Sequence, residues 1–322
     1  MKLLKQGAYT SNIRRYGEQH AIADACLLST DFEGSVSVIF ERATMKITEA
    51  RWAIHRAPDP ESRGQGFAPM LVGSSAHANE KNCVKILPDY SRAADYSLPP
   101  GGWEGEVQRH KTALIPATED REEAKAHKDD VSPAWKHIRE LYLEVLRGVL
   151  QAEYYMLPER GYTSYIDYEL KWGDSMVGNC RPYDGEKPPI DAWAIYVGGP
   201  NHYREYDYYN KYKQFTLIDN GDGTVSATGA YHDSFHELTV TLDYRKEDGC
   251  ITDYEQVTVR VPFDACRGLD HLHREQFIGR DIRAFAKRDI GKISGGASGC
   301  YHLVDIVADI SEAAREDGTA SR

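Results

Sequence analysis

A chain of 322 residues can bury a substantial core without staples, as one large domain or two of ordinary size. Acidic side chains outnumber basic ones, 50 to 39, and the formal charge of −11 offers no positive field for phosphates, which excludes nucleic acid as a partner. Six scattered cysteines (Cys26, Cys83, Cys180, Cys250, Cys266, Cys300) form no Cys-x-x-Cys pair, and no run is apolar enough for a signal peptide or a membrane span. A cytoplasmic protein with reduced thiols and no membrane partner is the expectation.

Residues 7–28 mix polar and aromatic positions and predict one or two short strands. Residues 35–40 alternate and are rich in β-formers, so they predict a strand, and residues 47–54 predict the next. From Ala57 to about Asp130 proline, glycine, serine and charge replace any period, with Pro99-Pro100-Gly101-Gly102 as a clear break. A structureless loop of that length does not suit a compact domain, so irregular packed structure or a lid is expected there.

Ser132-Pro133 opens a helix, because serine caps free amides and proline at the first position has no amide to leave unpaired. Trp135, Ile138, Leu141, Tyr142, Val145, Leu146, Val149 and Leu150 keep helical spacing until Pro158 and Gly161. Residues 162–172 and 192–197 then read as strands. A tyrosine-dense stretch, 202–212, leads into a meander over 215–218, 225–231, 236–244 and 251–261, with turns at Asn220-Gly221-Asp222-Gly223 and Asp248-Gly249. Helices from about His273 to Ile290 and from about Cys300 to Arg315 complete the chain. The predicted class is α+β: antiparallel meanders packed against a few helices. Residues 1–130 would form an N-terminal β-rich half with its long irregular segment. Residues 131–322 would carry the central helix and C-terminal meander, unless the two run on as one continuous domain.

At an offset of 204 residues, Glu33 falls on Glu237, Val36 on Val240, Phe40 on Tyr244, Ile47-Thr48 on Ile251-Thr252, Arg56 on Arg260 and Pro58 on Pro262. Either two hairpins share β-composition or the chain holds two similar halves.

Chemistry-bearing residues gather in three places. Gly295-Gly296-Ala297-Ser298-Gly299 runs into Cys300 and His302 at the start of the terminal helix, where the dipole favours a thiolate. The plainer alternative is a glycine turn with a buried Cys and a satisfied His. Tyr231-His232-Asp233-Ser234-Phe235-His236-Glu237 falls at a strand end, where two imidazoles can reach one side of a sheet and titrate near neutrality. They could equally be surface hairpin histidines. Asp270-His271-Leu272-His273 has its histidines at i and i+2, a spacing that faces one way on a strand. With His232 and His236 these could hold a metal, but no metal ligand is assigned. Twelve of the 21 tyrosines fall between Tyr154 and Tyr212; rings such as Tyr203 and Tyr206 would wall an aromatic ligand. Arg260 and His271 complete the expected substrate-binding set.

The terminal Gly299-Cys300-Tyr301-His302-Leu303, preceded by glycines, resembles a bacterial family of largely uncharacterised proteins marked by Gly-Cys-Thr-His-Leu. The family's upstream Pro, Cys and Phe-x-Gly-x-x-Ile correspond to Pro262, Cys266 and Phe277-Ile278-Gly279-Arg280-Asp281-Ile282; Tyr301 departs from its usual Thr. The resemblance covers about the last hundred residues well and the N-terminal half weakly. It implies an enzyme of bacterial aromatic catabolism rather than a regulator.

No Gly-x-Gly-x-x-Gly after a strand, no phosphate-binding Gly-x-x-x-x-Gly-Lys-Ser/Thr and no Gly-x-Ser-x-Gly elbow occurs, so no cofactor is expected. The expected function is a cofactor-independent acid–base enzyme on a small phenolic or aromatic compound. It would be a lyase (formaldehyde release from a lignin-derived aromatic dimer, or decarboxylation) or an isomerase. His232 or His236 would act as base or acid, His302 as partner, Cys300 as polarised thiol and Tyr231 as phenol-orienting donor. The alternatives are a non-catalytic aromatic-ligand sensor or subunit, and a metal-dependent hydrolase or lyase. An aromatic-rich exposed edge would suit a homodimer.

Overall fold

The computed structural model describes residues 1–76, 133–176, 178, 180–184, 204–269 and 273–319. Nine strands, β1 (Lys2–Tyr16), β2 (His20–Ser29), β3 (Glu33–Glu41), β4 (Ile47–Arg56), β5 (Gly64–Phe67), β6 (Asp207–Asp219), β7 (Thr224–Asp233), β8 (Glu237–Arg245) and β9 (Ile251–Arg260), lie in the order β5-β4-β3-β2-β1-β6-β7-β8-β9. The helices are α1 (Pro133–Ala152), α2 (Tyr165–Met176), α3 (Asp264–Arg267), α4 (Arg274–Phe277), α5 (Lys287–Ser294) and α6 (Tyr301–Thr319). The class is α+β, as the sequence predicts.

The chain divides into two compact units. The N-terminal one comprises Ser11–Glu153 and Tyr206–Tyr208; the C-terminal one comprises Met1–Thr10, Tyr154–Glu205 and Tyr209–Arg322. In the first, strand alternation turns Ala21, Ala23, Ala25 and Leu27 of β2, and Val36, Val38 and Phe40 of β3, to one buried face. The α1 helix lies on these two strands and buries Ile138, Leu141, Tyr142, Val145 and Val149. Each such aliphatic side chain withdrawn from water contributes about 1.5–3 kcal/mol. In the second, Val225, Ala227, Leu238, Val240 and Leu242 face Leu303, Ile306, Val307 and Ile310 of α6, which packs on β7 and β8.

The offset of 204 is a property of the backbone. β2, β3 and β4 begin and end 204 residues before β7, β8 and β9. Glu33 pairs with Arg56 and Phe40 with Ile47; Glu237 pairs with Arg260 and Tyr244 with Ile251. Register shifts fall at Glu33/Gly34 and Ile39/Phe40, and again at Glu237/Leu238 and Asp243/Tyr244. The tight turns agree too: Met45 has φ 57°, the one non-glycine with positive φ among the described residues, and its counterpart Gly249 has φ 71°. β-Composition fixes neither a bulge position nor a left-handed turn residue, so two similar halves is the reading the geometry supports.

Three local expectations change. Residues 7–28 form long strands, not short ones. Residues 162–172 are not a strand, because Ser164 caps α2 and Asp167 ties down the residue before it: Asp167 N donates to Ser164 Oγ (3.1 Å) and Thr163 N to Asp167 Oδ2 (3.0 Å). The cap overrides the β-preference of the tyrosines. The single helix over 273–290 is instead α4, a 3-10 turn at Ile282–Ala284 and α5. Gly279, at φ 82°, breaks it, and its amide donates to Ile251 O (2.9 Å), drawing 279–281 onto the start of β9. Of the irregular segment, residues 60–71 form two short 3-10 turns around β5, which pairs with β4. Ser132 and the strand expected over 192–197 lie outside the described residues.

Candidate active site

Alternation along β7 places Tyr231 and Asp233 on the buried face and His232 on the other. The chain then turns: Asp233 N donates to His236 O (2.9 Å), while Asp233 Oδ1 accepts from Phe235 N (2.7 Å) and His236 N (2.5 Å). Arg260 of β9 closes the turn from outside, donating to the carbonyls of Ser234 (3.1 Å), Asp233 (2.7 Å) and His236 (3.2 Å). The turn brings the His236 ring back beside its own aspartate, with Nδ1 3.1 Å from Oδ1 and 3.3 Å from Oδ2.

From the other side comes α6. Cys300 N donates to Ser294 O (2.6 Å), and a Cβ on Gly299 would lie 2.0 Å from that same carbonyl, so only glycine permits the loop. The helix then approaches β7 closely at Gly229, where a Cβ would meet Ile306 Cγ2 at 2.5 Å. An ion pair from Lys213 of β6 to Asp309 (2.9 Å) fixes the helix along the strand direction. His302, in the first turn, therefore reaches the end of β7. Its ring lies 4.0 Å from that of His236 and 4.5 Å from that of Tyr231, centroid to centroid, and Cys300 Sγ is 3.6 Å from its Nδ1.

Asp233 anchors the group. Beyond the two amides and His236, its Oδ2 accepts from Tyr209 OH (2.9 Å) and Tyr231 OH (3.1 Å). Burial would raise this carboxyl, but the charge and hydrogen bond of His236, then His302 and the Phe235 amide, outweigh it and hold it well below the carboxylate range. Burial, followed by Tyr209 and Asp233, pushes the Tyr231 hydroxyl well above its ordinary value, so it stays a donor. The buried Cys300 thiol would also be raised by desolvation, yet its hydrogen bond with His302, the charge on that ring and the amides of Leu303 and His302 bring it down. Cys180 and Cys266, near enough to feel its charge, are instead pushed up to about 12, chiefly by burial.

The expected residues sort clearly. His236, His302, Cys300 and Tyr231 converge. His232 does not: on the outer face, 39% exposed, its Nδ1 lies 3.6 Å from Glu237 Oε1. Arg260 binds turn carbonyls, which makes it a scaffold residue rather than a substrate clamp. Tyr206 is exposed and falls in the N-terminal unit. Tyr203 and His271 lie outside the described residues. Asp233 and Tyr209 were not among the expected residues. The signal for both was available, since Asp-x-x-His after a strand is an aspartate turn and Tyr209 shares the phase of Phe215 and Leu217 on β6.

Donor atoms of Asp233, His236 and His302 lie within 4.8 Å of one another, close enough to share a cation. Both carboxylate oxygens, however, already accept from two amides, two hydroxyls and an imidazole. A cation bound through Asp233 would have to displace some of them.

The N-terminal unit contains the same turn without this chemistry. Ser29 N donates to Phe32 O (2.8 Å), Phe32 N to Ser29 Oγ (3.1 Å), and Arg56 to the carbonyls of Thr30 and Ser29 (2.6 Å each). Phe32 stands where His236 does, and its ring meets His137 of α1 at 4.6 Å. Leu27 replaces Tyr231.

Comparison with curated proteins and with solved structures finds no match to this chain. Residues 217–316, which contain Asp233, His236, Cys300 and His302, match the model of a family described as a protein of unknown function (DUF2889).

Proposed function

We propose that the chain is a cofactor-independent acid–base enzyme acting on a small phenolic or aromatic compound, as a carbon–carbon lyase, a decarboxylase or an isomerase. The observation that carries this is the facing pair His236 and His302, each held by a separate partner, Asp233 and Cys300. Two imidazoles in contact can divide the work: one takes a proton while the other returns one. With Nδ1–H donated to Asp233, His236 offers Nε2 as base, and the Cys300–His302 couple serves as acid.

For formaldehyde release, a para-phenol bound as its phenolate expels a benzylic substituent, which leaves protonated by the acid, to give a quinone methide. The base then removes the proton of the neighbouring hydroxymethyl group. The carbon–carbon bond breaks, formaldehyde departs, and the electron pair enters the quinone methide to restore the phenolate. No external electron sink is needed. The resemblance of the segment around Cys300 and His302 to the Gly-Cys-Thr-His-Leu family, and the lean towards aromatic catabolism that goes with it, supports this substrate class. Cytoplasmic placement and a homodimer belong to the same proposal; Cys180, Cys250, Cys266 and Cys300 are free thiols, and no helix among the described residues is long and apolar enough to cross a membrane.

A metal-dependent hydrolase or lyase is the second reading, favoured by the three converging donor atoms. An aromatic-ligand sensor would use the same groups without turnover. Metal analysis of the purified protein, followed by incubation of chelator-treated protein with a panel of lignin-derived phenolics, separates the three. Product without metal supports the acid–base enzyme, turnover that requires re-added metal supports the second reading, and binding without product supports the sensor.

A further inference from the structure

We infer that Asp233 is the positioning residue of this centre: it holds His236 as the Nδ1–H tautomer, leaving Nε2 bare, and Tyr209 and Tyr231 serve to hold Asp233. This deepens the acid–base reading and rests on it for its consequence, though not for its test.

The argument runs from donors to acceptors. The amides of Phe235 and His236 can only donate, and both aim at Oδ1. Tyr209 and Tyr231 aim at Oδ2. Two amides, which can only donate, and two hydroxyls thus orient the carboxylate plane before the imidazole is considered, and an ionised carboxylate can only accept. His236 Nδ1, 3.1 and 3.3 Å from the two oxygens, must therefore carry the proton. The tautomer follows from the arrangement of donors, with no titration invoked.

The internal copy shows that the fold does not demand this. The turn from Ser29 to Phe32 keeps the closing hydrogen bond, the side-chain oxygen accepting from the residue-32 amide, and the arginine on the carbonyls. It does so with a hydroxyl for the carboxylate and a phenyl for the imidazole. Leu27 stands where Tyr231 does. At the turn, Asp233, His236 and Tyr231 are replaced in the copy, while the closing hydrogen bond and the arginine on the carbonyls are kept.

The test is nitrogen-detected NMR of protein labelled with 15N-histidine, at a pH where the ring is uncharged. In the wild type His236 should carry its proton on Nδ1. In Asp233→Asn the two amides keep the amide oxygen at the Oδ1 position and put the NH2 group at Oδ2, so one of the two acceptors beside Nδ1 becomes a donor and the Nε2–H fraction should rise. An aspartate-to-asparagine change of this kind keeps geometry but costs about 10⁴-fold in kcat in hydrolytic triads. The same order of loss is expected here on whichever phenolic is turned over. The double variant Asp233→Ser/His236→Phe, which copies the N-terminal turn, should fold with an unchanged circular dichroism spectrum. Nε2–H in the wild type, a tautomer ratio unchanged in Asp233→Asn, or collapse of the double variant would each overturn the inference. Should no phenolic be turned over, the tautomer result still decides it, and only the acid–base reading falls.

Discussion

The rings of His236, at the mouth of a strand turn, and His302, in the first turn of α6, lie 4.0 Å apart. Each is held by a partner of its own, Asp233 for one and Cys300 for the other. Neither element would bring them together alone; the contact depends on how α6 lies against β7.

That approach is set by glycines, so Gly229→Ala should disturb it. The new methyl would meet Ile306 at 2.5 Å, and overpacking of this kind costs about 1–3 kcal/mol. Gly299→Ala should cost more, since its methyl would meet a backbone carbonyl at 2.0 Å that cannot rotate away. Thermal unfolding of the two variants checks the order. Equal melting temperatures for Gly299→Ala and the wild type would contradict the account.

The carboxyl of Asp233 imposes a direction on acid stability. Because it is held below the ordinary value of about 3.9, it contributes stability that is fully present above that value. The contribution is lost as pH falls through the depressed folded-state value. The stability difference between wild type and Asp233→Asn should therefore stay level near neutrality and shrink below about pH 4. Chemical denaturation at a series of pH values measures it. A difference that grows in acid would reverse the assignment.

Cys300 should be the thiolate of its neighbourhood. Its thiol is lowered, while Cys180 and Cys266 are pushed to about 12. Titration of thiolate absorbance near 240 nm should show a step below the ordinary thiol value and well below those of Cys180 and Cys266. Cys300→Ser should remove that step, and His302→Ala should move it upward by taking away the hydrogen bond and charge. A low step that survives in Cys300→Ser would assign it to another cysteine.

Much of the scaffold is legible in the sequence because period-2 burial is strong in 33–41, 47–56, 237–245 and 251–260, and the two pairs of strands repeat at one offset. The site is only half legible, for reasons specific to each residue. His232 and His236 look alike on paper, but strand phase sends His232 outward and the aspartate turn brings His236 inward. Asp233 reads as an ordinary turn residue until its tyrosines are seen, and β6 hides Tyr209 because Lys211 and Lys213 occupy the same buried phase. Helix α2 hides behind β-forming tyrosines, and Gly279 divides an apolar pattern that would otherwise read as one helix.

The most direct measurement is turnover of the phenolic panel, followed by mass spectrometry and formaldehyde assay, by metal-free wild type, His236→Ala and His302→Ala. His232→Ala, on the outer face, serves as the control. Loss of one member of an acid–base pair should lower kcat by about 10²–10⁴-fold, with ligand binding retained and His232→Ala unaffected. Equal loss in all three variants, or full activity in His302→Ala, would contradict a reaction run by the His236–His302 pair.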